Sequence, residues 1–156
     1  MREDLMIPKA FFVTGGKAIE KVSSLNAFDL ALKNAGIANC NLVSVSSIIP
    51  PNCKEVSPRE ISIGSITYAV IAKAEGRRGI ISAGIAWGIA DEGFGVVAEA
   101  YGSMDEKTLK DVLKKRILEM ANIREINLRK IKYRIESLDV PEDNYGCVVA
   151  ALVYLF

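Results

Sequence analysis

The chain contains no histidine among its 156 residues. This absence excludes Ser–His–Asp triads, Cys–His nucleophile pairs and histidine metal sites, because each of them needs an imidazole. Its three cysteines, Cys40, Cys53 and Cys147, are widely spaced and form no C-x-x-C motif. The sequence therefore indicates reduced thiols, with neither a zinc site nor a disulfide framework. Any catalytic chemistry must come from other groups.

The sequence also lacks a surplus of charge and a long hydrophobic run. Twenty basic and 19 acidic side chains leave a formal net charge of +1, which provides no field to hold nucleic acid or an anionic membrane. The longest uncharged stretches, residues 79–90 and 146–156, are shorter than the roughly 18 residues of a membrane span. Residues 1–8 mix charges and reach a proline before any apolar run, so we expect no signal peptide and a cytoplasmic protein.

The size and composition are those of one globular domain. At roughly 100–200 residues per domain, the chain is expected to form a single domain over residues 1–156. Half of its residues are hydrophobic and a quarter are charged, which is typical of a packed core with a solvated surface. We expect loose chain in residues 1–8 and 51–59.

Helical spacing of apolar residues predicts two helices. The first follows an expected N-cap at Ser24 and ends before Gly36, with Leu25, Phe28 and Leu32 on its buried stripe. At 100° per residue, Asp29 falls about 40° from Leu25 and borders that stripe. The second helix is predicted to open with a capping box over residues 103–106 and to bury Leu109, Leu113, Ile117 and Met120.

Apolar, β-branched runs predict about seven strands. One strand is expected over residues 40–49, ending at Pro50-Pro51 and placing Asn41 and Ser47 on the same face, about 20 Å apart if straight. Three further runs read as an antiparallel meander joined by hairpin turns: 61–74, 79–90 and 94–102. A half-exposed strand over 128–138 and a buried one over 147–156 complete an α+β pattern.

Polar residues in apolar surroundings mark candidate functional positions. Glu99 lies among small and apolar residues, so it is either a desolvated carboxyl with a raised pKa or an outward-facing or ion-paired strand residue. Asp29 is either a substrate carboxylate or the i+4 partner of Lys33. Ser46 and Ser47 are adjacent near the end of an apolar strand, where hydroxyls commonly bond neighbouring backbone. Pattern alone leaves all three open.

The block from Leu25 to Pro51, LNAFDLALKNAGIANCNLVSVSSIIPP, resembles the signature of the pyruvoyl-dependent arginine decarboxylases. The similarity extends more loosely around Glu99 and through the order of elements. The resemblance implies a four-layer αββα sandwich of mainly antiparallel sheets with two principal helices. It also implies decarboxylation of L-arginine to agmatine and CO2 in polyamine synthesis.

In that family the proenzyme cleaves itself between two serines, which the resemblance places at Ser46 and Ser47. The Ser47 hydroxyl attacks the Ser46 carbonyl, the peptide becomes an ester, and elimination and hydrolysis convert residue 47 into a pyruvoyl group. The products are chains 1–46 and 47–156. The covalent pyruvoyl group then accepts the electrons released as carbon dioxide departs, so the resemblance implies neither a metal nor a diffusible cofactor.

The resemblance assigns the remaining site residues by position. Glu99 corresponds to the proton donor, Asn41 to a polar active-site residue, and Asp29 to the carboxylate that faces the substrate guanidinium, with Leu25 lining the same pocket. A carboxylate can pair bidentately with a planar guanidinium. Because a straight strand separates Asn41 from Ser47, we expect the site to be completed between subunits of the homotrimer that the family forms.

Two alternatives remain open from sequence. The chain could be a pyruvoyl decarboxylase for another amino acid, such as lysine or ornithine, which pair less well with Asp29. It could instead be an unprocessed, non-catalytic trimeric binding protein in which the serines are ordinary strand-end hydroxyls. Product analysis distinguishes the first alternative and the state of the Ser46–Ser47 bond distinguishes the second.

Overall fold

The computed structural model describes residues 5–156. The helices are α1 (Ser24–Asn34) and α2 (Glu106–Ile123). The strands are β1 (Ala10–Glu20), β2 (Asn41–Ser44), β3 (Ile48–Ile49), β4 (Lys54–Glu55), β5 (Ile66–Gly76), β6 (Gly79–Ala90), β7 (Gly95–Gly102), β8 (Leu128–Val140) and β9 (Tyr145–Leu155). Of the terminal segment predicted to be loose, residues 1–4 lie outside the described chain. Within that chain, neither helix combines the length and apolar composition that crossing a bilayer requires.

The strands form two sheets. The five-stranded sheet has the order β2-β5-β9-β1-β4, and the four-stranded sheet has the order β3-β7-β6-β8. The pairings are antiparallel except those of β1 with β4 and of β2 with β5. This mainly antiparallel arrangement confirms the predicted α+β class.

Three apolar cores separate four layers. The inner core joins side chains of both sheets, including Phe11, Val70, Ile85 and Val148. A second core packs α1 on the outer face of the five-stranded sheet, and a third packs α2 on the outer face of the four-stranded sheet. The strand runs therefore have both faces covered, and the layers follow the order αββα.

Helix α1 begins one residue from the predicted cap and is rotated from the predicted stripe. The N-cap is Ser23, whose hydroxyl accepts a hydrogen bond from the Asn26 amide, so the prediction of Ser24 is wrong. The buried side chains are Ala27, Ala31 and Leu32, whereas Leu25 is 74 % exposed. The helix approaches Gly16 of β1 so closely that a Cβ there would lie 2.3 Å from the Ala31 carbonyl oxygen. Small residues, rather than the largest apolar ones, therefore face the sheet.

The end of α1 and the start of α2 show how local signals decide helix limits. Gly36 has a φ of +80°, and its amide and that of Ile37 bond the carbonyls of Lys33 and Leu32, which is the predicted glycine stop in Schellman form. Helix α2 is capped by Asp105, which accepts from the Thr108 amide. The predicted box beginning at Ser103 is thus wrong. The expected face is buried through Leu109, Leu113, Ile117 and also Ala121, whereas Met120 is half-buried.

The strand predicted over residues 40–49 is two strands in different sheets. Strand β2 pairs in parallel with β5 of the five-stranded sheet, and β3 pairs antiparallel with β7 of the four-stranded sheet. Residues 45–47 cross between the sheets, so Asn41 and Ser47 do not share one straight strand. The apolar alternation continues through the crossing because both ends pack against the same inner core.

Of the two strand pairings in the predicted meander, one is present in the structure and one is not. Strands β6 and β7 form the expected antiparallel pair, but β5 and β6 belong to different sheets. The turn after Gly76, with Gly79 at a φ of +79°, carries the chain from one sheet to the other. A tight turn between apolar runs has the same sequence pattern whether it joins neighbours in a sheet or stacked sheets.

Candidate active site

The Ser46–Ser47 peptide bond lies where the chain passes between the two sheets. Before it, the Val45 amide donates to the carbonyl oxygen of Ala69 in β5, at 2.9 Å. After it, the Ser47 carbonyl oxygen accepts from the Val97 amide of β7, also at 2.9 Å. The two sides of this one bond are therefore held by different sheets.

The serine hydroxyls at this crossing have no competing partners. Ser44 and Ser46 are exposed and Ser47 is half-buried. None of these three hydroxyls forms a hydrogen bond within the part of the chain that the structure describes. Among the described residues, backbone bonding, which the sequence left open as the reason for the serines, therefore does not account for them.

A cavity of about 410 Å³ adjoins the crossing on one side. We call it the aromatic cavity. Its lining consists of Met6, Ile7, Pro8, Val45, Ser46, Ser47, Ile48, Pro50, Tyr68, Tyr154 and Phe156. The buried Tyr154 donates its hydroxyl hydrogen to the Ile48 carbonyl oxygen at 2.7 Å. This wall is mainly apolar and places a tyrosine of β9 next to the serine pair.

A second cavity, of about 500 Å³, brings Ser47 together with Glu99. We call it the glutamate cavity. The β7 residues Val97, Ala98 and Glu99 form one side of it, and α2 contributes the other side through Lys115, Arg116, Glu119, Met120 and Ile123. The structure thus unites two of the residues that sequence analysis singled out, although 52 positions separate them in the chain.

The surroundings of Glu99 favour its neutral form. Partial burial raises the pKa of the Glu99 carboxyl, and the positive charge of Arg116 opposes that shift. Arg116 Nη1 also donates to the Glu99 backbone oxygen at 2.7 Å. The raised pKa agrees with the interpretation as a desolvated carboxyl, whereas the exposure of Glu99 and the nearby charge of Arg116 agree with the interpretation as an outward-facing or ion-paired residue. The residue still reaches solvent at the cavity mouth, so the carboxyl is accessible to a ligand.

The other sequence-derived residues lie elsewhere in the chain. Asp29 and Leu25 are exposed on α1, and no ion pair joins Asp29 to Lys33, both of which the structure describes. Asn41 begins the edge strand β2 and donates its side-chain amide to the Gly64 carbonyl oxygen at 2.9 Å. None of these three lines the aromatic or the glutamate cavity. One copy of the chain therefore does not bring them to Ser47.

Several residues of this region were not identified from sequence. Val97 was hidden within an apolar run, and Arg116 could not be distinguished from the solvated face of α2. Tyr154 offered a usable signal, because a tyrosine inside a fully buried strand needs a hydrogen-bond acceptor for its hydroxyl. The residues described in the structure contain no cluster of three or more His, Cys, Asp or Glu side chains suited to a metal ion.

Comparison with known proteins gives the same family throughout. The family model described as pyruvoyl-dependent arginine decarboxylase matches residues 10–156. A curated pyruvoyl-dependent arginine decarboxylase of Methanopyrus kandleri is 38 % identical over 148 residues, covering 95 % of this chain and 97 % of that protein. One of Methanothermobacter thermautotrophicus is 32 % identical over 145 residues, covering 92 % and 94 %. One of Methanococcoides burtonii is 50 % identical over 72 residues, covering 44 % of this chain and 39 % of that protein.

Proposed function

The chain belongs to the pyruvoyl-dependent arginine decarboxylase family, which consists of carboxy-lyases, and on that basis we propose that it converts L-arginine to agmatine and CO2. The product is a precursor for polyamine synthesis. The observation that carries this proposal is the glutamate cavity, where the serine that would generate the cofactor and the carboxyl that would donate a proton line one space. No histidine is required for either role.

The family implies a covalent pyruvoyl group, and we propose that it arises from Ser47 by self-cleavage. The Ser47 hydroxyl attacks the Ser46 carbonyl carbon and displaces the Ser47 amide nitrogen, which gives an ester. Elimination breaks the ester and releases Ser46 as a carboxylate, which leaves chains 1–46 and 47–156. Water then hydrolyses the dehydroalanine at position 47 to the pyruvoyl group, and the former amide nitrogen leaves as ammonia. Three features support this step: neither hydroxyl has a hydrogen-bond partner among the described residues, the bond lies outside both sheet ladders, and each cleaved end keeps its own hydrogen bond to a sheet. The cleaved protein can therefore keep its fold.

The residues around position 47 fit such a group. A pyruvoyl residue retains the carbonyl oxygen that the Val97 amide already binds, and it lacks the serine amine, so it needs no added space. When formed, the group supplies the electron sink for decarboxylation. The protein around it contributes orientation and a proton source.

Glu99 is proposed as the proton donor to the carbon that loses CO2. Continuing the β3–β7 register by one residue places Ser47 opposite Val97, with Glu99 two residues further on the same strand face. Such diagonal neighbours lie about 7–8 Å apart, so the α-carbon of an amino acid attached at position 47 would lie between that residue and the Glu99 carboxyl. Because its pKa is raised, the carboxyl is protonated to a greater extent than an ordinary glutamate at the same pH.

Substrate recognition is proposed to use a second copy of the chain. Leu25 and Asp29 are four residues apart on one exposed face of α1, so an apolar side chain and a carboxylate lie side by side there. The carboxylate can pair bidentately with the substrate guanidinium. Since one copy does not bring this face or Asn41 to the glutamate cavity, we propose a homotrimer of cleaved protomers with its active sites between subunits.

A direct assay tests the proposed reaction. The purified protein is incubated with L-arginine, and agmatine and CO2 are measured. Equal concentrations of L-lysine and L-ornithine serve as comparison substrates, since neither carries a guanidinium. We expect agmatine from arginine and far slower release of CO2 from the other two. Release of CO2 from lysine or ornithine but not arginine would assign a different substrate, and no CO2 from any of them would contradict the proposal.

A further inference from the structure

Tyr154 crosses the gap between the two sheets to reach the crossing segment. It belongs to β9 of the five-stranded sheet, whereas its hydrogen-bond acceptor, the Ile48 carbonyl oxygen, belongs to β3 of the four-stranded sheet. The oxygen atoms are 2.7 Å apart, which is an optimal O–H···O distance. The ring is packed in the inner core and only 5 % of the residue is exposed.

The register of β3 explains why this carbonyl needs a partner. Ser47 and Val97 are joined by a ladder hydrogen bond, and Ile48 is opposite Val96. In an antiparallel pair the ladder bonds alternate, so the Ile48 carbonyl points away from β7. Strand β3 is at the edge of its sheet, and within residues 5–156 no other strand lies on that side. The Tyr154 hydroxyl takes the position that a neighbouring strand would occupy.

After cleavage between Ser46 and Ser47, the hydrogen bond from Tyr154 to the Ile48 carbonyl would help to hold a new chain end. The chain 47–156 would then begin at the residue next to Ile48, and new chain ends fray unless they are tied down. Two bonds hold that end: the Val97 amide on the Ser47 carbonyl and the Tyr154 hydroxyl on the Ile48 carbonyl. Burial raises the pKa of Tyr154, so the hydroxyl remains a donor.

We infer that Tyr154 is a positioning residue that fixes the Ser47–Ile48 peptide, both for self-cleavage and for holding residue 47 beside Glu99 afterwards. This inference rests on the proposed function. Tyr154 does not touch the reacting atoms; it acts through the Ile48 carbonyl. Its ring supports the fold and its hydroxyl sets the position of the crossing segment.

The test compares Tyr154→Phe with Tyr133→Phe. Each variant removes one hydroxyl, but that of Tyr133 has no hydrogen-bond partner in the described residues, and its ring packs against α2 instead. Intact mass is followed over time at a temperature at which circular dichroism shows every protein folded. We expect Tyr154→Phe to cleave about tenfold more slowly than wild type, because the variant loses one partner of a buried hydrogen bond. We expect Tyr133→Phe to cleave at the wild-type rate.

The cleaved fractions provide a second measurement. For Tyr154→Phe we expect kcat for arginine to fall while KM changes little, because the hydroxyl is remote from the proposed guanidinium contact. Cleavage and kcat at the wild-type values would overturn the inference, as would a slowing explained entirely by loss of folded protein. If wild-type protein never cleaves, the proposed function fails and this inference fails with it; normal cleavage in both variants overturns this inference alone.

Discussion

The Val97 amide donates a hydrogen bond to the Ser47 carbonyl oxygen at 2.9 Å. This contact places Ser47 on the four-stranded sheet, although residues only a few positions earlier belong to the five-stranded sheet. It also places Ser47 opposite Val97 of β7, and Glu99 is two residues after Val97 on that strand. A backbone bond within a sheet is among the more rigid contacts available to a loop residue, and it therefore provides a fixed origin for the proposed site.

Replacement of the proposed nucleophile separates self-cleavage from folding. Ser47→Ala is expected to remain a single chain with no decarboxylase activity, because the hydroxyl that attacks the Ser46 carbonyl is gone. Intact mass and an agmatine assay measure the two effects. Ser44→Ala is the matched control, since the Ser44 hydroxyl, like that of Ser47, forms no hydrogen bond in the described chain. A Ser47→Ala protein that cleaves and turns over would contradict the proposal.

Replacement of the proposed proton donor separates cleavage from turnover. Glu99→Gln is expected to cleave normally and to lose about 10²- to 10⁴-fold in kcat, the usual contribution of a general acid. Glu92→Gln, an exposed glutamate in the turn before β7, should behave as wild type. Near-normal kcat in Glu99→Gln would remove this carboxyl from the reaction.

The pH dependence of kcat follows from the protonation state that donation requires. A donor must be protonated, so activity is present below the pKa of Glu99 and is lost as the pH rises through it. Burial raises that pKa and Arg116 lowers it; Lys115 and Glu119 line the same cavity. Arg116→Gln should therefore move the alkaline limb of the kcat profile to higher pH. A limb that stays in place or moves to lower pH would show that Arg116 does not tune this group.

The exposed carboxylate of α1 should control arginine binding. Asp29→Asn is expected to cleave normally and to raise KM for arginine by about 10- to 100-fold, because hydrogen bonds to charged groups contribute about 1.5–3 kcal/mol. Steady-state kinetics measure the change, with Lys33→Gln on the next turn of α1 as the control. An unchanged KM in Asp29→Asn would place guanidinium recognition elsewhere.

Mixed oligomers test whether the site lies between subunits. Asp29→Arg and Glu99→Gln should each be nearly inactive alone, the first because a cation repels the substrate guanidinium. If each site takes one residue from each of two subunits, co-expression restores some sites that carry neither change, and activity returns in part. If both residues serve the site from one chain, the co-expressed protein stays as inactive as its components.

Much of the fold was predictable because each element carries a local pattern. The buried residues of α2 recur at helical spacing, and Gly36 marks the end of α1 through its left-handed conformation. The crossings between sheets were not predictable. An extended, apolar segment such as 40–49 has the same two-residue period whether it stays in one sheet or changes sheets. The rotation of α1 depends on its contact with Gly16, which is remote in sequence.

Some residues of the candidate site were predictable from the sequence and others were not. Ser46, Ser47 and Glu99 were identified from their residue types and the resemblance, and the structure places Ser47 and Glu99 on one cavity. Arg116 and Tyr154 each donate a hydrogen bond to a backbone carbonyl oxygen. Every residue has such an oxygen, so the acceptor leaves no signal in the sequence. Only the three-dimensional arrangement reveals such partners. The roles of Asp29, Leu25 and Asn41 remain predictions, since they depend on a second copy of the chain.

The proposed function depends above all on self-cleavage between Ser46 and Ser47, which converts residue 47 to a pyruvoyl group. The intact mass of the purified wild-type protein under denaturing conditions tests this without a choice of substrate. We expect two fragments, residues 1–46 and 47–156, with the second lighter by one ammonia than a simple hydrolysis product. A single full-length mass that persists through prolonged incubation of the folded protein would contradict it.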